Sequence, residues 1–178
     1  MPSPSTSSRR SAETLAPTYP PKAPSPLFTG RCFCALTTFA VTALPTRSYI
    51  CHCTDCRQFS GSSFHHMAVF PASSVTITTL QSSPKLFPAI AGLSIGSSIT
   101  AFGEPGHGTR QFCTKCGSSL FMTVPDSIEE MRGSVIIGVG SIDGSESDER
   151  LRPRYEGFCK RREAWMREVE GAVESEEW

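Results

Sequence analysis

Apolar residues recur along this chain in short runs of partial alternation, and stretches with helical spacing are scarce. From Gly30 to Val41, β-branched and aromatic residues predict a strand, followed by a turn near Pro45 and a second strand through Tyr49 and Ile50. Further strands are predicted at Met67–Phe70, Val75–Leu80, Ile99–Phe102, Arg110–Phe112, Ser119–Val124 and Ser134–Val139. Between them, Arg57–Phe64 reads as a short turn or helical piece. Residues 81–98 read as a long loop interrupted by Ser, Pro and Gly, Gly103–Gly108 as a turn, and 126–132 as a helical turn. After Pro153 the chain becomes charged, and Arg161–Val173 is expected to form a helix that frays into the acidic end. The sum is a mostly β fold of short antiparallel strands in one domain over residues 27–167. A Pro/Ser-rich tail, 1–26, precedes it and is expected to be disordered, because Pro17, Pro20, Pro21, Pro24 and Pro26 interrupt any helix. An acidic tail, 168–178, follows.

Composition narrows the function classes. The chain has 178 residues, with 17 basic and 17 acidic side chains, so its formal net charge is zero. That gives no electrostatic case for nucleic acid or for an anionic membrane as the main partner. No apolar run reaches the length of a membrane span; the best, Leu86–Ile95, is broken by Pro88 and Gly92. The N-terminus lacks the apolar core of a secretory signal, which favours a cytoplasmic setting. Arg9, Arg10 and Lys22 against Glu13 make a weak transit-peptide pattern, so a mitochondrial setting is the lesser alternative.

The eight cysteines carry the candidate chemistry. Their spacing is that of metal or redox clusters rather than of a disulfide framework. Cys51 and Cys53 are two apart, so in an extended segment both leave the same face, and Cys56 follows at knuckle spacing. These three thiolates can converge on one zinc and leave its fourth position open, the arrangement of a catalytic site. Cys32-x-Cys34 and Cys113-x2-Cys116 together make four, the closed shell of a structural zinc, with Gly117 suiting a knuckle that needs positive φ. A partition in which the trio borrows a ligand from either pair would break that complete set. His52, between two ligands, is expected to face away from them as a surface or packing histidine. His65 and His66 are candidates to line a cleft or to support ligands from behind, His107 is expected in an exposed turn, and Cys159 reads as a small buried hydrophobe.

Gly30-x-Cys32-x-Cys34, Cys51-His52-Cys53-x2-Cys56-Arg57 with Gly61-Ser62-Ser63-Phe64, and Arg110-Gln111-Phe112-Cys113-x2-Cys116-Gly117 with Leu120-Phe121 resemble the glutathione-dependent formaldehyde-activating enzyme family, shared with centromere protein V. Ile137–Gly144 and the Trp165 segment resemble it too. The resemblance implies a β-tent-like fold, a structural zinc on Cys32, Cys34, Cys113 and Cys116, and a second zinc on Cys51, Cys53 and Cys56. Ala35 stands where that family usually has Gly, Gly117-Ser118-Ser119 replaces the more usual Gly-Thr, and residues 81–109 look longer than usual.

A zinc with three thiolates is a weak Lewis acid, better suited to holding an ionised thiol than to hydrolysis. The expected activity is therefore that of a carbon–sulfur lyase, S-(hydroxymethyl)glutathione synthase-like, acting on the adduct of glutathione or another small thiol with formaldehyde or a similar electrophile. Arg57 and Arg110 are candidates to bind the carboxylates of glutathione, against the simpler reading of ordinary surface arginines. The alternative is a non-catalytic zinc-binding module for protein interaction. A redox protein using the Cys113 knuckle is a weaker third reading.

Overall fold

The computed structural model describes residues 24–79, 82–86, 98–103, 108–125 and 127–177. Most of the expected tail (1–23), much of the 81–98 segment, and His107 lie outside them. Among the described residues the chain forms twelve strands and one α-helix: β1 (Phe28–Arg31), β2 (Thr37–Val41), β3 (Arg47–Cys51), α1 (Thr54–Ser60), β4 (His65–Pro71), β5 (Val75–Thr79), β6 (Ser82–Leu86), β7 (Ile99–Phe102), β8 (Thr109–Cys113), β9 (Ser119–Thr123), β10 (Ser134–Gly138), β11 (Tyr155–Gly157) and β12 (Val173–Ser175). They make a four-stranded sheet, β1-β2-β5-β6, and an eight-stranded sheet, β12-β11-β3-β4-β10-β9-β8-β7. Pairing is antiparallel, as expected, except at one edge, where β11 runs parallel to both β3 and β12.

The two sheets differ in how they bury side chains. In β2 and β5 buried and less buried positions alternate, the mark of a sheet with one face in the core. The central strands β4 and β10 carry four buried residues in a row, because both of their faces are covered. One face packs on the four-stranded sheet, with Phe28 edge-on to Phe70 at 5.7 Å and Phe39 edge-on to Phe121 at 5.3 Å. Each such buried ring contributes roughly 1.5–3 kcal/mol. The opposite face carries a second cluster, Tyr49, Met67, Val69 and Ile136, with the thiols of Cys51 and Cys56 among them.

Four expectations are corrected. The strand expected over 30–41 is a hairpin: the chain turns through Cys32–Leu36, where Ala35 takes φ 58. A residue with a Cβ is disfavoured there and glycine is not, so Ala35 carries a backbone strain that glycine at this position would avoid. Within the expected 81–98 loop, residues 82–86 form β6, an antiparallel partner of β5. The helix expected over Arg161–Val173 is absent. That segment instead has a 3-10 turn at Cys159–Arg161, turns through Gly171 (φ 77), and ends in β12. Here tertiary bonds override helix propensity, because the Val169 N–H donates to Glu156 Oε2 at 3.0 Å and Val173 N–H to the Arg154 carbonyl at 2.9 Å. Cys159 is half-buried rather than buried. The helical turn expected over 126–132 is present at Glu129–Met131.

Candidate metal centres and the adjoining cleft

The first cluster is built by two hairpin turns. Cys32 directly follows β1, Cys34 lies in the β1–β2 turn, Cys113 ends β8, and Cys116 lies in the β8–β9 knuckle. The knuckle closes by Gly117 N–H donating to the Cys113 carbonyl at 2.9 Å, and Gly117 has φ 73, the conformation for which glycine is suited. All four Sγ atoms lie within 4.8 Å of one another, with Cys32–Cys34 at 3.6 Å and Cys34–Cys113 at 3.7 Å. A tetrahedron with zinc–sulfur bonds near 2.3 Å has sulfur–sulfur edges of about 3.8 Å, so the donor set and its spacing fit zinc. Cys32 and Cys113 are fully buried between the two sheets. The Thr37 N–H donates to Cys32 Sγ at 3.4 Å.

The second cluster lies on the other face of the eight-stranded sheet. Cys51 ends β3, Cys53 caps α1, and Cys56 is the buried residue of that helix. The Cys56 N–H donates to Cys53 Sγ at 3.4 Å, so the helix start itself turns Cys53 and Cys56 toward each other. The three Sγ atoms fall within 4.8 Å, and no further His, Cys, Asp or Glu among the described residues joins them. Cys51 and Cys56 are buried and Cys53 is partly open. Hydrogen bonds from Cys51 first and Cys56 next bring the Cys53 thiol down to about 2, while bonds to Cys51 and Cys53, with burial, push Cys56 up. A cation bound among the three would replace their protons.

The surroundings resolve the histidines. His52 is completely buried and turned away from the thiols, with Nε2 2.8 Å from Glu156 Oε1. Glu156, which is 1% exposed, also accepts from Arg162 Nε at 2.9 Å. Burial opposes its ionisation, but the Val169 N–H, His52 and Arg162 together hold the carboxyl below its ordinary range. Sequence reasoning missed Glu156 because it lies 104 residues from His52 and has no local signature. His65 and His66 both line a cleft of about 700 Å³, beside Cys32, Ser119, Gly138 and Gly140. His65 pairs with Cys51 across β3 and β4. Burial first, then the Arg110 charge and His66, hold His65 down at about 4. A Cβ on Gly138 would stand 3.2 Å from His65 Nε2, so this glycine leaves the ring its room.

The two candidate arginines are unlike. Arg57, on α1, is ion-paired to Glu163. Arg110 stacks its guanidinium 5.0 Å over the Phe59 ring, and Phe59 lies 6.0 Å from the His65 ring. Cys159 donates its S–H to the Glu156 carbonyl at 3.2 Å and sits near the Glu156 and Glu174 carboxylates, both of which are occupied by Arg162.

A family model described as glutathione-dependent formaldehyde-activating enzyme matches residues 27–161. The chain belongs to the glutathione-dependent formaldehyde-activating enzyme family. An activity related to glutathione and formaldehyde follows from that membership. No curated protein matches the chain. A similar solved structure is a Rhodobacter sphaeroides protein, a structural-genomics target, at 15% identity and a TM-score of 0.46, covering 68% of this chain and 92% of that one. No described helix is long and apolar enough to cross a membrane.

Proposed function

We propose that this member of the family is a carbon–sulfur lyase-type enzyme that makes and breaks the adduct of glutathione, or another small thiol, with formaldehyde or a similar small electrophile. The observation that carries the reading is the three-thiol cluster, gathered without a fourth ligand atom among the described residues. Cys51, Cys53 and Cys56 would hold one zinc, and Cys32, Cys34, Cys113 and Cys116 a second. With only three protein ligands, a zinc supplies an open position that favours the ionised form of an incoming thiol.

The chain's own residues do the rest. Tyr49 and Met67 pack around the thiols on the sheet side and Phe158 packs from the segment after β11, which excludes water and strengthens every polar contact there. Cys53, the partly open member, marks the side from which substrate enters. In the forward step the substrate sulfur bonds to the carbonyl carbon. The carbon–oxygen π pair moves onto oxygen, which ends with the proton the thiol lost. The reverse step breaks the same carbon–sulfur bond. His65, opposite Cys51 across β3 and β4, would hydrogen-bond that oxygen as charge collects on it. Holding both reactants in register lowers the entropic part of the barrier.

The test is exchange of labelled formaldehyde with its glutathione adduct, measured with the wild-type protein, with Cys53→Ser and without protein. Faster exchange with wild type alone is expected. Equal rates in all three would overturn the reading and leave a non-catalytic zinc module in its place.

A further inference from the structure

We infer that Arg110, and not Arg57, binds a carboxylate of the thiol substrate, held for the purpose on the face of Phe59. The inference rests on the thiol-enzyme reading above and adds the residue that selects a thiol carrying a carboxylate.

Arg57 follows directly on a candidate ligand, but its guanidinium is already neutralised. Glu163 pairs with it, and both side chains are only about one third exposed (36% and 33%). The same segment is tied to α1 a second time, by Arg161 donating to Thr54 Oγ1 at 2.7 Å. A substrate carboxylate would have to displace Glu163 to reach Arg57, with no net gain of charge pairing.

Arg110 has the opposite character. No carboxylate pairs with it among the described residues, and its Nε is sealed from solvent without a hydrogen-bond partner. A buried donor left unpaired is costly, and a carboxylate is the acceptor that best repays it, because its two oxygens match the guanidinium fork. Stacking on Phe59 fixes the plane of that fork before any ligand arrives.

Its position suits the chemistry. Arg110 pairs with Met122 across β8 and β9, and Met122 packs against the cluster that contains Cys51 and Cys56. Phe59 touches both Arg110 and His65, and His65 pairs with Cys51. The thiols, His65, Phe59 and Arg110 thus form a continuous line over one face of the sheet. A thiol lying along this line would meet the cysteine cluster with its sulfur and the guanidinium with its carboxylate.

The experiment compares glutathione with 2-mercaptoethanol, which has no carboxylate, by titration calorimetry on the zinc-loaded full chain. Four proteins are needed: wild type, Arg110→Gln, Arg110→Lys and Arg57→Gln, each with its melting temperature. Arg110→Gln should weaken glutathione by about 10- to 100-fold and leave 2-mercaptoethanol unchanged. Arg110→Lys should recover part of that loss, since it restores the charge without the fork. Arg57→Gln should leave the preference for glutathione intact. The inference is overturned if Arg110→Gln leaves glutathione binding unchanged, if it weakens both thiols equally, or if Arg57→Gln has the same effect. A wild type that binds both thiols equally would remove the carboxylate selection but keep the thiol enzyme. A wild type that binds neither would remove both.

Discussion

Gly30 opens the first cysteine motif, and the structure gives its presence a steric reason. β1 approaches the 3-10 turn at Val139–Ser141 closely enough for Gly30 to bridge to Ile142. A Cβ on Gly30 would lie 2.4 Å from the Ser141 carbonyl oxygen and 2.2 Å from Phe39 Cζ. Neither neighbour can yield cheaply. The carbonyl belongs to the backbone, and Phe39 is 3% exposed and braced edge-on against Phe121. Overpacking of this kind costs about 1–3 kcal/mol. For a chain of this size each kcal/mol moves the melting temperature by about 2–4 °C, so Gly30→Ala should lower it by about 2–12 °C. Gly140→Ala is the control, because a Cβ there meets nothing within 4 Å. It should melt with wild type, or slightly above it, since alanine restricts the unfolded chain. Differential scanning calorimetry measures the difference, and elemental analysis shows whether the displaced turn still holds the metal at Cys32. If Gly30→Ala and Gly140→Ala melt together, the close approach is not what requires glycine.

Two further predictions separate the parts of the molecule. Cys113→Ser should cost folded protein, because a closed zinc site contributes folding free energy on the order of 10 kcal/mol in small domains, whereas Cys56→Ser should keep the fold and lower the metal count from two to one. Elemental analysis with circular dichroism checks this, and equal unfolding in both variants would make the second cluster structural as well. Glu156 has its carboxyl held below the ordinary carboxylate range, so its contribution is complete above that range and is lost as pH falls through the lowered folded value. Glu156→Gln should therefore lower the denaturation midpoint at pH 7 and narrow its gap from wild type as pH falls toward 3. Two parallel pH curves would refute that role.

Much of this was legible in the sequence because the signals are local. The two cysteine pairs and the trio were readable from spacing alone, and the fold brings each set within one small sphere of sulfur. Gly117 was readable as a knuckle residue and has the positive φ that reading requires. The strands at β4, β5, β9 and β10 follow β-branched and aromatic runs to within about two residues. What failed depends on partners distant in sequence. The segment Arg161–Val173 reads as a helix, yet a buried carboxylate on β11 captures the Val169 N–H and the edge of the sheet captures Val173. The burial of His52 was invisible for the same reason, because the group that satisfies it comes from the far end of the domain. Arg57 and Arg110 looked equivalent as neighbours of cysteine motifs, and only the fold shows that Glu163 reaches one of them.

The eight-stranded sheet separates two demands that a single cysteine cluster could not meet together. A site that holds the fold should be closed by packing, and the four-thiol cluster has Cys32 and Cys113 at 0% exposure between packed sheets, with Cys34 and Cys116 half-buried at its rim. A site that admits a ligand must open at low cost, and the three-thiol cluster is roofed by α1, only seven residues long, and by the segment that follows β11. Phe158 in that segment takes φ 57 and ψ 42, a left-handed conformation that costs a bulky residue on the order of 1–3 kcal/mol. Strain of that size favours local opening at this point over opening between the sheets, where Phe70, Phe121 and Ile137 are fully buried. The four-thiol cluster thus lies in the core between the sheets, and the three-thiol cluster lies on the other face, under α1 and the strained Phe158 segment.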